Sequence, residues 1–339
     1  MSDDPTTTGG AAEADPSANR DRPTPRPADP DDPVQPSALV LPAAAEEPLD
    51  ERRPWLERRD LEAAYEIPGA DTPLYLTPGG VAITTTGIGK SDAATTVTAL
   101  LANPAIDLES AYVVSCGIAG ASPATAALGS VAVADVVVDW DRKHRWDRGA
   151  ESVAGADDGD AAEFETIDLL AYRPRDYVSH LDDRVVETGL RGARSVALVE
   201  NDETLAYQRR YPDAPETGPI VGVGTTVTGD EFWHGERYAR EVDHLCERYG
   251  VDPYVTTQME DAATATALER FGLLERYVSV RAIANYDRPS PGESVEESFD
   301  GNEASLALAI ENAARAGDGV VDELVSSDPL GIREGGVSS

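Results

Sequence analysis

The sequence predicts an α/β fold, a three-layer sandwich in which helices cover both faces of a mixed, mainly parallel sheet. The first reason is that short apolar runs alternate along the chain with longer segments of helical periodicity. The second is size, because 339 residues at 41% hydrophobic content supply a large core. In such sheets ligands bind beyond the carboxyl ends of the strands, so the residues after each strand are the candidates for function.

The predicted strands are short β-branched or apolar runs, and the predicted helices lie between several of them. The strands are 38–41, 81–86, 111–115, 131–138, 220–223, 254–257 and 277–283. The helices are 55–65, 91–101, 175–189, 202–211, 231–249, 261–271 and 303–316. We expect these elements to form a single domain over residues 37–325.

The two ends of the chain have a different composition. Residues 1–36 contain eight Pro and eight acidic residues and almost no large apolar side chain, which predicts a disordered acidic tail. Residues 326–339 predict a flexible C-terminal end, and the Gly- and Asp-rich residues 149–162 predict a solvated loop.

Charge excludes several classes of partner. The 28 basic and 63 acidic residues give a net charge of −35, which repels nucleic acids and anionic lipid surfaces. Screening such self-repulsion requires salt, so we expect a high-salt cell.

The first ten residues lack the features of a secretory signal, which favours the cytoplasm. Two cysteines are too few for a disulfide framework or a zinc cluster, and no metal site is expected.

The uncharged segment 111–134 is long enough to cross a membrane. It contains Ser, Thr, Pro and three Gly, however, and only a few bulky apolar residues. Two buried strands joined by a glycine-rich turn explain it better, and no membrane span is expected.

Two glycine-containing turns follow predicted strands. In TTTGIGKSDAA (84–94), Gly87 and Gly89 precede a helix whose free N–H groups suit an anion or a polar ligand edge. The spacing matches neither the P-loop nor the dinucleotide fingerprint, and a plain strand-to-helix turn is the alternative. In SCGIAGASP (115–123), Gly117 would let the backbone approach a ligand, and Ser115 offers a hydroxyl.

Two further segments place aromatic and acidic side chains at helix starts. In GTTVTGDEFWHG (224–235), Phe232 and Trp233 could stack on a planar base, and His234 could bind a ligand or cap the turn. In YVTTQMEDAATATAL (254–268), Met259 could pack on a sugar and Glu260 could accept two hydrogen bonds from a vicinal diol. The alternative for Glu260 is simple stabilisation of the helix N-terminus.

The last segment, VRAIANYDRPSPG (280–292), puts an amide after a buried strand. Asn285 can both donate and accept hydrogen bonds, or it can be a turn residue. Asp287 and Arg288 can form an ion pair.

Taken together and in this order, the segments resemble the purine nucleoside permease family over about residues 37–317. The most specific pieces are SCGIAG, the WHG tripeptide at 233–235, QMED at 258–261 and DRPSPG at 287–292. Despite its name, that family resembles nucleoside phosphorylases and nucleosidases of the α/β phosphorylase fold, which implies a nucleoside phosphorylase-like architecture.

The resemblance implies roles for the purine nucleoside site. Glu260 would hold the ribose 2′- and 3′-hydroxyls, with Met259 beside it, and Phe232 and Trp233 would stack on the base. Asn285 stands where the superfamily often has an Asp facing purine N7. An Asn can bind N7 but cannot transfer a proton, which makes guanosine or inosine plausible and leaves Asp287 as a fallback acid.

The resemblance also frames the choice of nucleophile. Phosphorylases of this fold hold phosphate with an Arg at the position of Tyr112, whereas Ser115 matches their phosphate-contacting serine. Nucleosidases activate water with a Glu after the first strand, where Glu46 and Glu47 stand. Arg52 and Arg53 could still serve phosphate, which is the one co-substrate considered; no other cofactor is implied.

These features favour a purine nucleoside N-ribosyl hydrolase or phosphorylase, with hydrolysis preferred because the expected Arg is absent. The alternative is a non-catalytic nucleoside-binding component of nucleoside uptake. Relatives of the fold commonly form oligomers, so a homo-oligomer is an open expectation.

Overall fold

The structure is a computed structural model that describes residues 22–146, 167–170, 177–299 and 302–333. The strands in these ranges are β1 (Arg26–Pro27), β2 (Ala38–Leu41), β3 (Ala63–Glu66), β4 (Leu74–Leu76), β5 (Val81–Ile83), β6 (Tyr112–Ala121), β7 (Val131–Asp139), β8 (Lys143–Arg145), β9 (Ile167–Leu169), β10 (Val178–His180), β11 (Val221–Thr228), β12 (Tyr254–Gln258) and β13 (Tyr277–Tyr286). The helices are α1 (Arg53–Arg58), α2 (Lys90–Leu101), α3 (Asp183–Arg194), α4 (Asp202–Gln208), α5 (Glu236–Tyr249), α6 (Asp261–Arg270), α7 (Val295–Phe299) and α8 (Glu303–Ser327), with a 3₁₀ turn at Leu274–Arg276.

Eleven of the described strands form one mixed sheet in the order β1-β3-β4-β5-β2-β6-β12-β11-β7-β10, with β13 paired to both β6 and β7. The long pairings β13 with β6 and β11 with β7 are parallel, and β2 is parallel to both β5 and β6. Because β13 joins β6 to β7, the strands β6, β12, β11, β7 and β13 close into a ring. The prediction of a mixed, mainly parallel sheet is confirmed.

Helices cover both faces of the sheet, as adjacent residues of β6 show. The Ser115 hydroxyl donates to Asp261 at the start of α6, whereas the Cys116 thiol contacts the Ala313 carbonyl of α8. Successive side chains of a strand point to opposite faces, so α6 and α8 lie on opposite sides. Gly317 allows the close approach of α8, since a Cβ there would lie 2.6 Å from the Cys116 sulfur.

Both chain ends contact the domain where the structure describes them. Residues 22–36 include β1, which pairs with β3, and the buried Val34, which bridges to Ile106. At the other end, α8 continues to Ser327, and the Tyr112 hydroxyl donates to Asp328. Residues 1–21, 149–162 and 334–339 lie outside the described residues, so the predicted tails and loop stay predictions there.

Several element predictions also require correction. The predicted helix at 55–65 ends at Arg58, and residues 63–66 form β3 instead. The predicted turn at 115–123 is a continuous strand, because β6 runs to Ala121. The segment 111–134 contains all of β6 and the start of β7, which confirms the prediction of two buried strands. In the part of the chain that the structure describes, every helix is too short or too polar to span a bilayer.

Candidate active site

A cavity of about 1220 Å³ opens where several strands end. Its walls include residues 118–120 at the end of β6, residues 257–260 at and just beyond the end of β12, and residues 284–285 at the end of β13. The loop after β2 adds Ala43 and Ala44, and the loop after β5 adds Ile88. The cavity therefore lies at the carboxyl ends of the strands, where the fold class predicts a ligand.

Glu260 is positioned by the junction between β12 and α6. The side chain of Gln258 accepts hydrogen bonds from the backbone N–H groups of Glu260 at 2.8 Å and Asp261 at 2.9 Å. It also donates to the Thr228 hydroxyl on β11 at 2.7 Å. Two free N–H groups at the helix start are thereby satisfied, and Gln258 ties the helix start to the neighbouring strand.

The Glu260 carboxylate is 4% exposed and lies on the cavity wall. One oxygen accepts the Gly89 N–H at 3.0 Å, and the other lies 3.3 Å from Arg281 Nη1. Burial raises the pKa of Glu260 to about 7, against the opposing effect of Arg281. Gly89 has φ of +90°, and a Cβ there would meet Asp230 at 2.8 Å, so glycine is required at this approach.

A second buried carboxylate, Glu51, was not predicted. One oxygen accepts the N–H groups of Ala43 and Ala44 at 2.7 and 3.0 Å, and the other accepts that of Ile118 at 2.6 Å. Glu51 is 5% exposed and lines the cavity, and burial raises its pKa. A Cβ on Gly117 would lie 2.5 Å from this carboxylate, so Gly117 makes room for Glu51 rather than for a ligand.

The loop carboxylates chosen from sequence lie elsewhere. Glu46 is not among the residues lining the cavity, and Glu47 is at its rim with a side chain 66% exposed, paired with Arg53. Arg52 does not line the cavity, and its guanidinium lies over the Tyr75 ring at 5.9 Å. The sequence could not separate the three glutamates of this loop, because the contact that buries Glu51 comes from β6, 67 residues away.

Arg281 connects the cavity to a buried polar cluster. Its Nη2 and Nε donate to Asp261 at 2.5 and 3.1 Å, and its Nη1 faces Glu260. The Ser115 hydroxyl donates to Asp261 at 2.7 Å and accepts from Arg281 at 3.0 Å. Ser115 therefore supports Arg281 and, contrary to prediction, does not line the cavity. Burial opposes the charge of Arg281, but Asp261 and Glu260 keep its pKa above the usual value.

Asn285 lines the cavity beside Gly120, and its amide nitrogen donates to the Tyr286 carbonyl at 2.9 Å. Asp287 does not line the cavity. Its carboxylate is 2% exposed and accepts hydrogen bonds from Tyr254 and from Arg288, the latter at 2.7 Å. The proposed fallback acid is thus buried away from the cavity.

The aromatic residues after β11 divide between two environments. Phe232 lines the cavity mouth, is 52% exposed, and meets Phe299 edge to face at 5.2 Å. Trp233 does not line the cavity and packs 6.5 Å from Trp140 in a separate apolar cluster, which corrects its predicted role. His234 lines the cavity; its Nε2 is 2.9 Å from the Ser298 hydroxyl, and burial lowers its pKa.

Of the remaining candidates, Met259 lines the cavity and Gly87 does not. Gly87 has φ of +81° and forms the turn before α2. The described cavity wall carries six carboxylates and three guanidinium groups, and each guanidinium is paired with a carboxylate. Within the ranges that the structure describes, no group of three potential metal ligands is suitably placed.

The mixed sheet with its two helix layers and the cavity at its strand ends give this α/β protein the fold of nucleoside phosphorylases and nucleosidases. A 5′-methylthioadenosine/S-adenosylhomocysteine nucleosidase from Colwellia psychrerythraea, solved with adenine, has a TM-score of 0.55 at 20% identity, covering 86% of this chain and 96% of its own. A futalosine hydrolase of Helicobacter pylori has a TM-score of 0.56 at 18% identity, covering 86% and 99%. At these identities the likeness shows a shared fold.

The family follows from sequence. The family model described as purine nucleoside permease matches residues 38–328, so the chain belongs to the purine nucleoside permease family. A probable purine nucleoside permease of Schizosaccharomyces pombe is 27% identical over 265 residues, 71% of this chain and 75% of that protein. A purine nucleoside permease of Candida albicans is 28% identical over 306 residues, 82% and 73% of the two chains. The predicted family resemblance is confirmed.

Proposed function

We propose that this protein binds a purine nucleoside in the cavity and cleaves its N-glycosidic bond with water. The observation that carries the proposal is the meeting of two buried carboxylates, Glu51 and Glu260, with Arg281 on the wall of one cavity. The family name and the nucleosidase-like fold support a purine nucleoside as the ligand. Paired carboxylates in a desolvated site suit a glycosidic reaction, in which one group stabilises the sugar and another activates water.

In this mechanism Glu260 holds the ribose. Its oxygens would accept the 2′- and 3′-hydroxyl hydrogens, and its negative charge would lie near C1′ as the bond to N9 lengthens. Positive charge develops on the ribose in an oxocarbenium-like transition state, and a nearby carboxylate stabilises that state more than the ground state. Glu260 sits on a rigid strand-to-helix junction, so the sugar would be fixed by the fold rather than by a loop.

The base would leave toward Asn285. The Asn285 amide can hydrogen-bond to purine N7 or to a 6-oxo group but cannot transfer a proton. The purine therefore departs as an anion and takes its proton from solvent, which suits guanosine and inosine. Phe232 and Phe299, which meet edge to face on the cavity lining, are aromatic rings available to cover the base.

Glu51 would act as the general base in place of Glu46 or Glu47. It would take a proton from water, whose oxygen then bonds to C1′ to give ribose. General-base assistance of this kind typically contributes about 10²–10⁴-fold. The raised pKa of the buried Glu51 carboxyl makes it a stronger base than an exposed glutamate.

Electrostatics favour water over phosphate as the nucleophile. The N–H groups of Ala43, Ala44 and Ile118 form a natural anion site, but the Glu51 carboxylate already occupies it. Six carboxylates line the described wall, and its three guanidinium groups are each paired with one. A phosphate dianion would meet net negative charge here.

The family name favours a second candidate, a nucleoside-binding protein that supports uptake without cleavage. It would bind nucleosides through the same Glu260 and Asn285 contacts. Binding without turnover is the result that distinguishes it.

The test is incubation of the purified protein with inosine, guanosine and adenosine, with and without phosphate, followed by chromatography of free base and sugar. We expect free base and ribose without added phosphate. Ribose 1-phosphate formed only with phosphate would overturn hydrolysis, and tight binding without any free base would favour the uptake role.

Glu51→Gln is expected to lower kcat by about 10²–10⁴-fold, because it removes the general base. Glu46→Gln is the matched control, since Glu46 is in the same loop but does not line the cavity. Equal activity of wild type and the Glu51 variant would remove Glu51 from the mechanism.

A further inference from the structure

One buried aspartate in the site has no assigned role. Asp261 is fully buried and accepts hydrogen bonds from the hydroxyls of Ser115, Tyr277 and Ser279 at 2.7, 2.8 and 2.6 Å. It also accepts two from Arg281. We call these five residues the cavity cluster.

The cavity cluster fixes two of the three nitrogens of the Arg281 guanidinium. Nε and Nη2 of Arg281 are taken by Asp261 and Ser115, which leaves Nη1 to face Glu260 at 3.3 Å and the Ile118 carbonyl at 3.4 Å. Glu51 accepts the N–H of the same Ile118. The guanidinium therefore contacts Glu260 directly and is connected to Glu51 through the Ile118 peptide, in a position set by its three bonds to Asp261 and Ser115.

We propose that Asp261 is a positioning residue, which aims Arg281 at Glu260 and Glu51 and partly neutralises its charge. The carboxylates of Asp261, Glu260 and Glu51 and the guanidinium of Arg281 then lie together in a buried site. If all four groups were ionised, this desolvated site would carry a net negative charge. Such a site retains a proton more readily than an exposed carboxyl does. Asp261 therefore helps to set the pH at which the two cavity glutamates ionise. The kinetic consequences rest on the proposed cleavage reaction.

The charged and titratable groups around Glu260 come from several elements. Glu51 on the loop after β2, Asp261 at the start of α6 and Arg281 on β13 act on Glu260. The Tyr277 phenol of β13 and the Cys116 thiol of β6 lie near Arg281 and Asp261. On the α2 side, the Lys90 ammonium is bound to Asp139 and Asp141, and the Asp230 carboxylate accepts the Lys90 N–H. Lys90 is thus committed to other carboxylates, which leaves Arg281 as the cation described in contact with Glu260.

The decisive variant is Asp261→Asn, which keeps the shape and removes the charge. Misplacement of a catalytic group by about 1 Å can cost about 10²-fold, and we expect kcat/KM to fall by about that factor. Without the negative charge of Asp261, Glu51 and Glu260 would ionise more easily beside Arg281. The acid limb of the pH profile would therefore move to lower pH. Asp287→Asn is the matched control, because Asp287 is an equally buried Arg- and Tyr-bound aspartate whose arginine is Arg288, outside the cavity lining, rather than Arg281.

A readout independent of turnover accompanies the kinetics. Titration of ¹³C-labelled glutamate carboxyls by NMR, assigned with Glu51→Gln and Glu260→Gln, follows ionisation whether or not the protein cleaves nucleosides. We expect the Glu260 titration to move to lower pH in Asp261→Asn and to stay unchanged in Asp287→Asn.

A wild-type titration and pH profile in Asp261→Asn, or equal changes in both aspartate variants, would overturn the proposal. If Asp261→Asn does not fold, Ser279→Ala and Tyr277→Phe each remove one donor to Asp261, and both should lower kcat/KM with a shifted acid limb. Wild-type behaviour in both would contradict the proposal. Inactive wild-type protein with the expected NMR shift would instead count against the cleavage function alone.

Discussion

Two clusters each contain an Asp, a Tyr and an Arg, and each includes residues of β13 or of the segment that follows it. Only one of the two clusters reaches the cavity. The cavity cluster contains Asp261, Tyr277 and Arg281, whereas a distal cluster contains Tyr254, Asp287 and Arg288. Arg281 has a nitrogen left to face Glu260 on the cavity wall. Arg288 bonds instead to Asp287, Tyr254 and Ser122 and to Glu236 on α5.

The two aspartates also differ in how well their charge is compensated. Burial alone would raise the pKa of Asp261, but Arg281 and the surrounding hydroxyl donors hold it below its usual value. Burial raises the pKa of Asp287, and Arg288 with Tyr254 compensates only in part. An aspartate–arginine pair by itself therefore does not indicate a functional site. The cavity cluster differs from the distal cluster in the number of donors to its aspartate and in having a second acceptor, Glu260, for its arginine on the cavity side.

The largest expected difference concerns the arginines. Arg281→Lys loses the forked contact with Asp261 and the reach to Glu260, because a lysine ammonium cannot reproduce the guanidinium geometry. We expect kcat/KM to fall by about 10²–10³-fold, the range for loss of one donor that stabilises developing charge. Arg288→Lys should lower thermal stability and leave kcat/KM unchanged. Equal kinetic losses in the two variants, measured by release of free base, would erase the distinction between the clusters.

The next effect is on stability and its pH dependence. The folded-state pKa of Glu260 is about 7, above its ordinary value of 4.5, so the folded state binds its proton more tightly than the unfolded state does. Stability linked to this group is present below pH 4.5 and is lost as the pH rises to 7. The loss amounts to about 3 kcal/mol at full burial.

In Glu260→Gln the side chain cannot ionise, so this variant should not show this loss of folding stability as the pH rises. Urea unfolding should show similar stability of variant and wild type at acidic pH and a more stable variant above neutrality. Asp287→Asn, which removes the buried carboxylate bound to Arg288, should be less stable than wild type across the range. A Glu260→Gln variant that gains nothing as the pH rises would show that Glu260 is ionised normally in the folded protein.

The smallest effect distinguishes the two tyrosines. Tyr277→Phe removes one donor to the ionised Asp261, a loss of about 1.5 kcal/mol, the low end for a hydrogen bond to a charged group. Because that loss loosens the hold of Asp261 on Arg281, we expect kcat/KM to fall by up to about tenfold, by the usual conversion of free energy to rate. Tyr254→Phe removes the equivalent donor from Asp287 and should leave kcat/KM unchanged. A lower kcat/KM in Tyr254→Phe but not in Tyr277→Phe would contradict this prediction, because it would show that the distal cluster, and not the cavity cluster, positions the active-site groups.

The regular core of the fold could be predicted from sequence because its strands are continuous apolar runs. Residues 38–41 match β2, and the prediction for 131–138 differs from β7 by one residue. The strands β3 and β4, near one edge of the sheet, were missed, since they are only four and three residues long and 63–65 also continue a helical pattern. The length of β6 was underestimated because glycines at 117 and 120 indicate a turn, whereas they leave space for Glu51 and for Asn285 and Thr257.

The site could be predicted where its residues follow a strand directly, as Glu260 and Met259 do. Glu51 and the cavity cluster could not, because contacts between distant segments create them: Glu51 meets β6, and Asp261 meets β13. Trp233 was misplaced because adjacent side chains leave the backbone in different directions. Only Phe232 of the pair reaches the cavity mouth, while Trp233 packs against Trp140.

The most direct test of the account is a crystal structure of the Glu51→Gln variant soaked with inosine. The account predicts an intact nucleoside whose 2′- and 3′-hydroxyls lie within hydrogen-bond distance of Glu260, with its base beside Asn285 and its C1′ facing residue 51. A nucleoside bound elsewhere, or one whose sugar points away from Glu260, would contradict it.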